Sequence, residues 1–234
     1  MSTIDREAQT AALPWLVDGE RLDRATFHER YEAMPGETRA ELIGGVVYMA
    51  SPLGLRHGRS NVPVVVWLSY YSEWTPGTEV LDNASVFFED YGEPQPDVVL
   101  RILPENGGRT HDEGKYYADG PELIVEVSDS TLKKDLGPKL ADYERAGVPE
   151  YIVLGVNPPA IRWHFRINDR LVEVGPDPDG FYRSKVLPGL WLDPVALLAG
   201  KTRRLREVID LGIATVGHAA FVARLAEAGG ADRG

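Results

Sequence analysis

The sequence predicts an α/β protein: a mixed β-sheet core flanked by helices, with an additional antiparallel meander. Three observations predict it. Continuous Val/Ile/Leu runs begin after prolines at residues 97–102 and 122–128, as suits strands covered on both faces. The second run is followed by a helical segment and another apolar run at 151–154, a strand–helix–strand order that favours a parallel crossover. Residues 161–165 and 170–174 then alternate around the polar Asn168-Asp169 pair, as an antiparallel hairpin does.

Taken in order, residues 1–22 read as an N-terminal arm. Residues 23–31 have helical character, ended by Pro35-Gly36. Residues 40–49 form a hairpin around Gly44-Gly45. Bulky apolar residues at helical spacing over 56–74 predict a buried helix, with Pro63 near its first turns. Two strands are expected at 78–81 and 84–88. Ser130 or Thr131 opens a helix over 132–146, stopped by Gly147. Residues 181–186 and 190–192 are expected to extend the meander. Residues 201–228 form a terminal helix, broken at Gly212 or Gly217, within a helical tail spanning 201–234. Residues 23–200 make a single domain.

Composition limits the function. With 234 residues, 43% hydrophobic and 26% charged, the chain can bury one substantial core. Its net charge of −11 argues against a protein that coats DNA, yet leaves room for an enzyme that touches a few phosphates. The chain has no cysteine, which excludes disulfides, thiolate nucleophiles and cysteine-ligated zinc. Met1 to Gln9 is polar with no signal-peptide core, and the longest apolar run, 62–68, is too short to span a bilayer. A cytoplasmic protein with no membrane partner is expected.

Two acids stand out. Asp97 begins one apolar run, and Glu126 lies within the other among Ile124, Val125 and Val127. A buried carboxylate costs several kcal/mol unless it is paired or bound to a cation. Alternation puts Glu122, Ile124, Glu126 and Ser128 on one face of their strand. If the Asp97 strand is the neighbour, both acids converge on one cation, and hard oxygen donors suit Mg²⁺ or Mn²⁺. On the following helix, Asp135, Lys139, Asp142 and Tyr143 share a stripe, from which Lys139 can reach back over the strand ends.

The ordered set Glu41-Leu42-Ile43-Gly44-Gly45-Val46-Val47-Tyr48-Met49, His57, Pro96-Asp97-Val98-Val99, Glu122-Leu123-Ile124-Val125-Glu126-Val127-Ser128, Asp135, Lys139, Tyr143 and Gly147-Val148-Pro149-Glu150-Tyr151 resembles the Uma2 family of restriction-endonuclease-like proteins, in the PD-(D/E)XK superfamily. The similarity runs from Leu22 to Phe165. It implies a restriction-endonuclease-like fold and a metal-dependent endonuclease acting on DNA. In its terms Glu41 is the first acid, Asp97 the aspartate of the Pro-Asp motif and Glu126 the second acid of the Glu-x-Lys element, the three holding Mg²⁺ or Mn²⁺. The chain departs from the pattern at Ser128, where the lysine is expected, which makes Lys139 on the next helix its replacement. Two further departures are Ser128-Asp129-Ser130, where relatives show Ser-Pro-Ser, and Leu154-Gly155, where relatives end the strand with Asp.

Simpler roles compete. Asp97 can be a turn residue, Glu126 can pair with Lys139 or Arg145, and Asp135 can serve the helix dipole. His57 and His111 read as structural or exposed. Arg203, Arg204 and Arg206 read as a polar helix face. Trp67, Tyr70, Tyr71 and Trp74 read as core or as the contact of a homodimer. Gly44-Gly45 and Gly107-Gly108 are not phosphate loops, since no Gly-Lys-Ser/Thr follows. The alternative function is a catalytically inactive member of the fold that binds nucleic acid or protein.

Overall fold

The computed structural model describes residues 13–231. Residues 1–12 of the expected arm at 1–22 lie outside the described residues, whereas Leu16, within that arm, is buried and packs with Phe27, Leu42 and Val47. Helix α1 (Arg24–Glu32) starts where the Asp23 carboxylate accepts the Thr26 N–H. Strands β1 (Ala40–Ile43) and β2 (Val46–Met49) form the expected hairpin. Its two-residue turn needs positive φ at both positions, and Gly44 (+57°) and Gly45 (+73°) supply it. Helix α2 (Leu55–Glu73) is long and buries Val64, Trp67, Leu68 and Tyr71.

A six-stranded sheet carries the fold. Its strands are β3 (Thr78–Asp82), β5 (Val98–Ile102), β8 (Leu123–Ser128), β9 (Glu150–Val156), β10 (Pro159–Ile167) and β11 (Arg170–Val174). Their spatial order is β11-β10-β9-β8-β5-β3. Only the β8–β9 pair is parallel, as the strand–helix–strand order predicts; the other neighbours are antiparallel. The short strands β4 (Val86–Phe87), β6 (His111–Glu113) and β7 (Tyr116–Ala118) form a separate three-stranded sheet. The expected strand at 84–88 is thus reduced to two residues.

The sheet is apolar on both faces. Leu123, Val125 and Val127 join α2 on one side, together with residues of α6 and α7. Ile124, Val99, Tyr143, Tyr151 and Val153 make a second core on the other. This split follows from alternation along β8.

Three expectations are corrected. Residues 182–183 (β12, Tyr182–Arg183) and 191–192 (β13, Trp191–Leu192) pair with each other and do not extend the meander. The helix at 132–146 is not uniform: α3 (Leu132–Lys134) passes through a π turn at Asp135–Lys139 into α4 (Leu140–Arg145). Pro138 lies in that turn and has no N–H to give an α-helical bond, so the wider turn relieves the conflict. The terminal helix breaks at Ala214-Thr215, between the two glycines proposed for the break. After α5 (Pro194–Leu198), it runs as α6 (Thr202–Ile213) and α7 (Val216–Ala231), bent by 79°. Among the described residues no single helix is long and apolar enough to cross a membrane.

Candidate active site

Asp97 lies one residue before β5. Val98 pairs with Val125, and the antiparallel register continued by one residue sets Asp97 across from Glu126. Directly opposed residues point to the same face. The two acids therefore stand on neighbouring strands of the second core's face, as the sequence requires for convergence. Asp97 also binds the ladder's end, its Oδ2 accepting the Val127 N–H at 2.7 Å.

Lys139 reaches this face from the π turn. Its ammonium donates to Glu126 Oε1 at 2.8 Å and lies 2.7 Å from Glu41 Oε1. Tyr143, one helical turn on, donates its hydroxyl to the same Glu126 oxygen at 2.6 Å. Glu41 comes from β1, where Lys134 holds its other oxygen at 2.8 Å and the Gln95 N–H donates to Oε1 at 2.9 Å. Lys139 thus touches both Glu41 and Glu126, and Asp97 stands across the ladder from Glu126. Glu41, Glu126 and Lys139 are each less than 7% exposed.

Burial and charge set the protonation of these groups. Burial alone would raise the Glu41 carboxyl, yet Lys139 and Lys134 hold it down at about 2. Burial pushes Glu126 well above the usual carboxylate range; Asp97, Asp135 and Glu41 add to the rise, and Lys139 opposes it. Burial works against the Lys139 ammonium, but Glu126 and Glu41 outweigh it and keep its pKa above normal. The cluster therefore holds a firmly charged lysine and one glutamate whose ionisation is costly.

The surrounding residues fix this geometry. Asp142 accepts the Gly44 N–H at 2.5 Å, tying the hairpin that carries Glu41 to the helix that carries Lys139. Asp135, expected to serve the helix dipole, is buried instead and accepts the Thr131 hydroxyl, while burial raises its carboxyl. His57, read as structural or exposed, is buried at the start of α2. Its Nδ1 meets the Val127 carbonyl at 3.0 Å and its Nε2 lies 3.3 Å from Asp97 Oδ1. A carbonyl only accepts, so Nδ1 carries a proton and Nε2 faces the carboxylate. The adjoining Asp97 carboxylate raises the His57 pKa against the opposing effect of burial. His111 lies elsewhere, exposed and paired with Asp119.

The sequence overlooks Lys134, because a lysine beside Lys133 in a first helical turn looks like any solvated residue. Arg145 is not the partner of Glu126; it lies over the Tyr91 ring. Ser128, at the place of the missing lysine, is buried beside Thr131.

Among the described residues no three His, Cys, Asp or Glu side chains are gathered as a ready metal cluster. The donor chemistry nonetheless fits a hard divalent cation. Asp97 and Glu126 are neighbouring carboxylates on one face, and the raised pKa of Glu126 reports a cost of ionisation that a bound cation would remove. Glu41 is the third carboxylate, with both oxygens engaged by lysines.

The family model described as "Uma2: Putative restriction endonuclease" matches residues 25–196 of the chain. Among solved structures, a crystal structure from Anabaena variabilis ATCC 29413, described as "a putative nuclease belonging to DUF820", matches with a TM-score of 0.56 and 13% identity. The match covers 74% of this chain and 97% of that one. At such identity the likeness concerns the fold, a mixed sheet flanked by helices. No curated protein matches the chain.

Proposed function

The chain belongs to the Uma2 family of restriction-endonuclease-like proteins, and from that premise we propose that it is a metal-dependent endonuclease hydrolysing phosphodiester bonds in DNA. The observation that carries this reading is the buried cluster in which Lys139 touches both Glu41 and Glu126, with Asp97 across the ladder from Glu126.

Asp97 and Glu126, with Glu41 as the third carboxylate, would hold Mg²⁺ or Mn²⁺. Bound there, the ion would supply charge neutralisation at the phosphate and a lowered pKa for an attacking water. The side chains do the rest. Lys139 stays protonated between its two glutamates and presents positive charge where negative charge develops on the phosphate. It thereby takes the part of the lysine absent at Ser128. Tyr143 orients the Glu126 carboxylate by its hydrogen bond. His57 positions Asp97 from the opposite side of the strand end.

The test is plasmid nicking with Mg²⁺ or Mn²⁺. Cleavage by the unaltered chain should disappear in Asp97→Ala and in Glu126→Ala, and activity surviving both changes would sink the assignment. One observation favours the second reading, an inactive nucleic-acid-binding or protein-interaction module: Lys139 already neutralises the glutamates from within. That reading predicts DNA retention without cleavage at any concentration of either metal. A cytoplasmic location and a homodimer remain part of the proposal; sedimentation and cell fractionation test them.

A further inference from the structure

Glu41 holds two ammonium groups, and the two are not equivalent. Lys139 is 3% exposed and locked between carboxylates, 2.7 Å from Glu41 Oε1 and 2.8 Å from Glu126 Oε1. Its departure would strand two buried glutamates at once. Lys134, the last residue of α3, meets the other oxygen of Glu41, Oε2, at 2.8 Å, and its side chain is 22% exposed. A lysine so placed can carry its ammonium into water on a flexible four-carbon stem. Its departure leaves Glu41 with Lys139 and the Gln95 N–H, both at Oε1.

The two oxygens of Glu41 therefore differ in what they can offer a cation. Oε1 is covered from within, whereas Oε2 faces a partner that can leave. A hard divalent ion seeks such a carboxylate oxygen. An ion at Oε2 and the Lys134 ammonium are like charges competing for one atom, and their repulsion disfavours holding both at contact distance. Lys134 also has a second resting place. Tyr48 stands directly opposite Glu41 in the β1–β2 hairpin, on the same face. The Lys134 Nζ already lies 5.6 Å from the centre of that ring, a cation–π contact at the edge of the cluster.

We propose that Lys134 is the mobile cation of this site: it competes with the divalent ion for Glu41 Oε2 and, once displaced, binds a phosphate of the substrate strand. The proposal rests on the nuclease reading for its ion and its substrate. Lys139 stays fixed between the glutamates, while Lys134 moves from carboxylate to phosphate. The chain then meets the substrate with two ammonium groups, one buried and one drawn from the rim.

The test is calorimetric titration of the full chain with Mn²⁺, without DNA. Lys134→Met should bind Mn²⁺ about tenfold more tightly than the unaltered chain, since it removes a competing cation. Lys134→Gln, which keeps a hydrogen-bond donor but no charge, should shift the affinity in the same direction. Lys133 is exposed, and Lys133→Met makes the same change of charge there, so it should alter the affinity by less than about twofold. The second measurement is binding of a short DNA duplex at increasing salt, with Ca²⁺ as the hard cation. Lys134→Met should flatten the slope of log K against log salt by about 0.9, the share of one phosphate contact, and Lys134→Arg should restore it. Mn²⁺ binding that is unchanged or weaker in both Lys134→Met and Lys134→Gln, or an unchanged salt slope, overturns the proposal. A purely structural Lys134 would give that result together with a lowered melting temperature. Failure of the nuclease reading looks different, because the unaltered chain would then bind neither Mn²⁺ nor DNA, and both readings would fall together.

Discussion

At the residue scale, the chemistry centres on one ammonium between two buried glutamates. Lys139→Met would leave Glu126 with only the Tyr143 hydroxyl, while Glu41 keeps Lys134. Breaking a buried ion pair from one side costs about 3–5 kcal/mol. The expected outcome in urea denaturation at neutral pH is a loss of that order, partly restored by adding Glu126→Gln. Nicking activity should be lost in both variants, since the restoring change supplies no cation. Glu93 gives a pH signature away from the cluster. It is 1% exposed, and burial raises its carboxyl to about 7 although the His28 imidazole opposes the rise. In the unfolded chain the same group ionises near 4.5, so between those values the folded state binds the extra proton. Stability from this group is therefore greatest at low pH and declines as pH rises from about 4.5 to 7. Glu93→Gln should flatten that decline, leaving stability unchanged at pH 4 and raising it at pH 8, as chemical denaturation at the two values would reveal.

At the element scale, short polar contacts hold together pieces far apart in sequence. The Gly44 turn, the Asp142 carboxylate and the π turn bring β1 against the β8–β9 crossover, so Glu41 and Lys139 meet. Burial raises the Asp142 carboxyl to about 6, which leaves it mostly ionised and accepting at neutral pH. A second close approach fixes α6. A Cβ on Gly212 would lie 2.1 Å from the Gly189 carbonyl oxygen, which is backbone and cannot swing aside, and Gly189 itself sits at a φ of +90°. Gly212→Ala must push α6 away from the 189 turn. Overpacking of this kind costs about 1–3 kcal/mol, and a lowered melting temperature with intact helical circular dichroism is the expected result. The sequence marks Gly212 as a helix breaker; the structure shows a contact glycine within an intact helix.

At the scale of the whole molecule, the C-terminal helices belong to the core. Leu205 and Ile209 of α6 and Phe221 and Leu225 of α7 pack with α2 and the sheet's first face. Removing residues 201–234 would bare that face, whose buried apolar side chains each contribute roughly 1.5–3 kcal/mol. The truncated chain should lose cooperative unfolding and bind the dye ANS; a sharp melt for residues 1–200 would contradict this. The same packing accounts for the apolar character of the α6–α7 pair. The aromatic helix divides likewise: Trp67 and Tyr71 are fully buried, whereas Trp74 is 53% exposed at its end.

What the sequence alone determined was the pattern local to each segment. Apolar runs after prolines marked β5 and β8, the glycine pair marked the β1–β2 turn, and a strand–helix–strand order marked the one parallel pair of the six-stranded sheet. The acids Asp97 and Glu126 were legible because a carboxylate in an apolar run needs a partner. Tertiary structure decided which groups meet them. Glu41 and Lys139 are 98 residues apart, and only the folding of the hairpin onto the π turn sets them at 2.7 Å. Lys134 carried no signal and His57 only its place in the family pattern, since an isolated histidine and a lysine in a polar turn look the same buried or solvated. A cleft between the β3–β5 edge and the β6–β7 hairpin belongs to the same class. A cavity is bounded by segments from separate strands and helices, and its existence depends on packing distances that no linear spacing encodes.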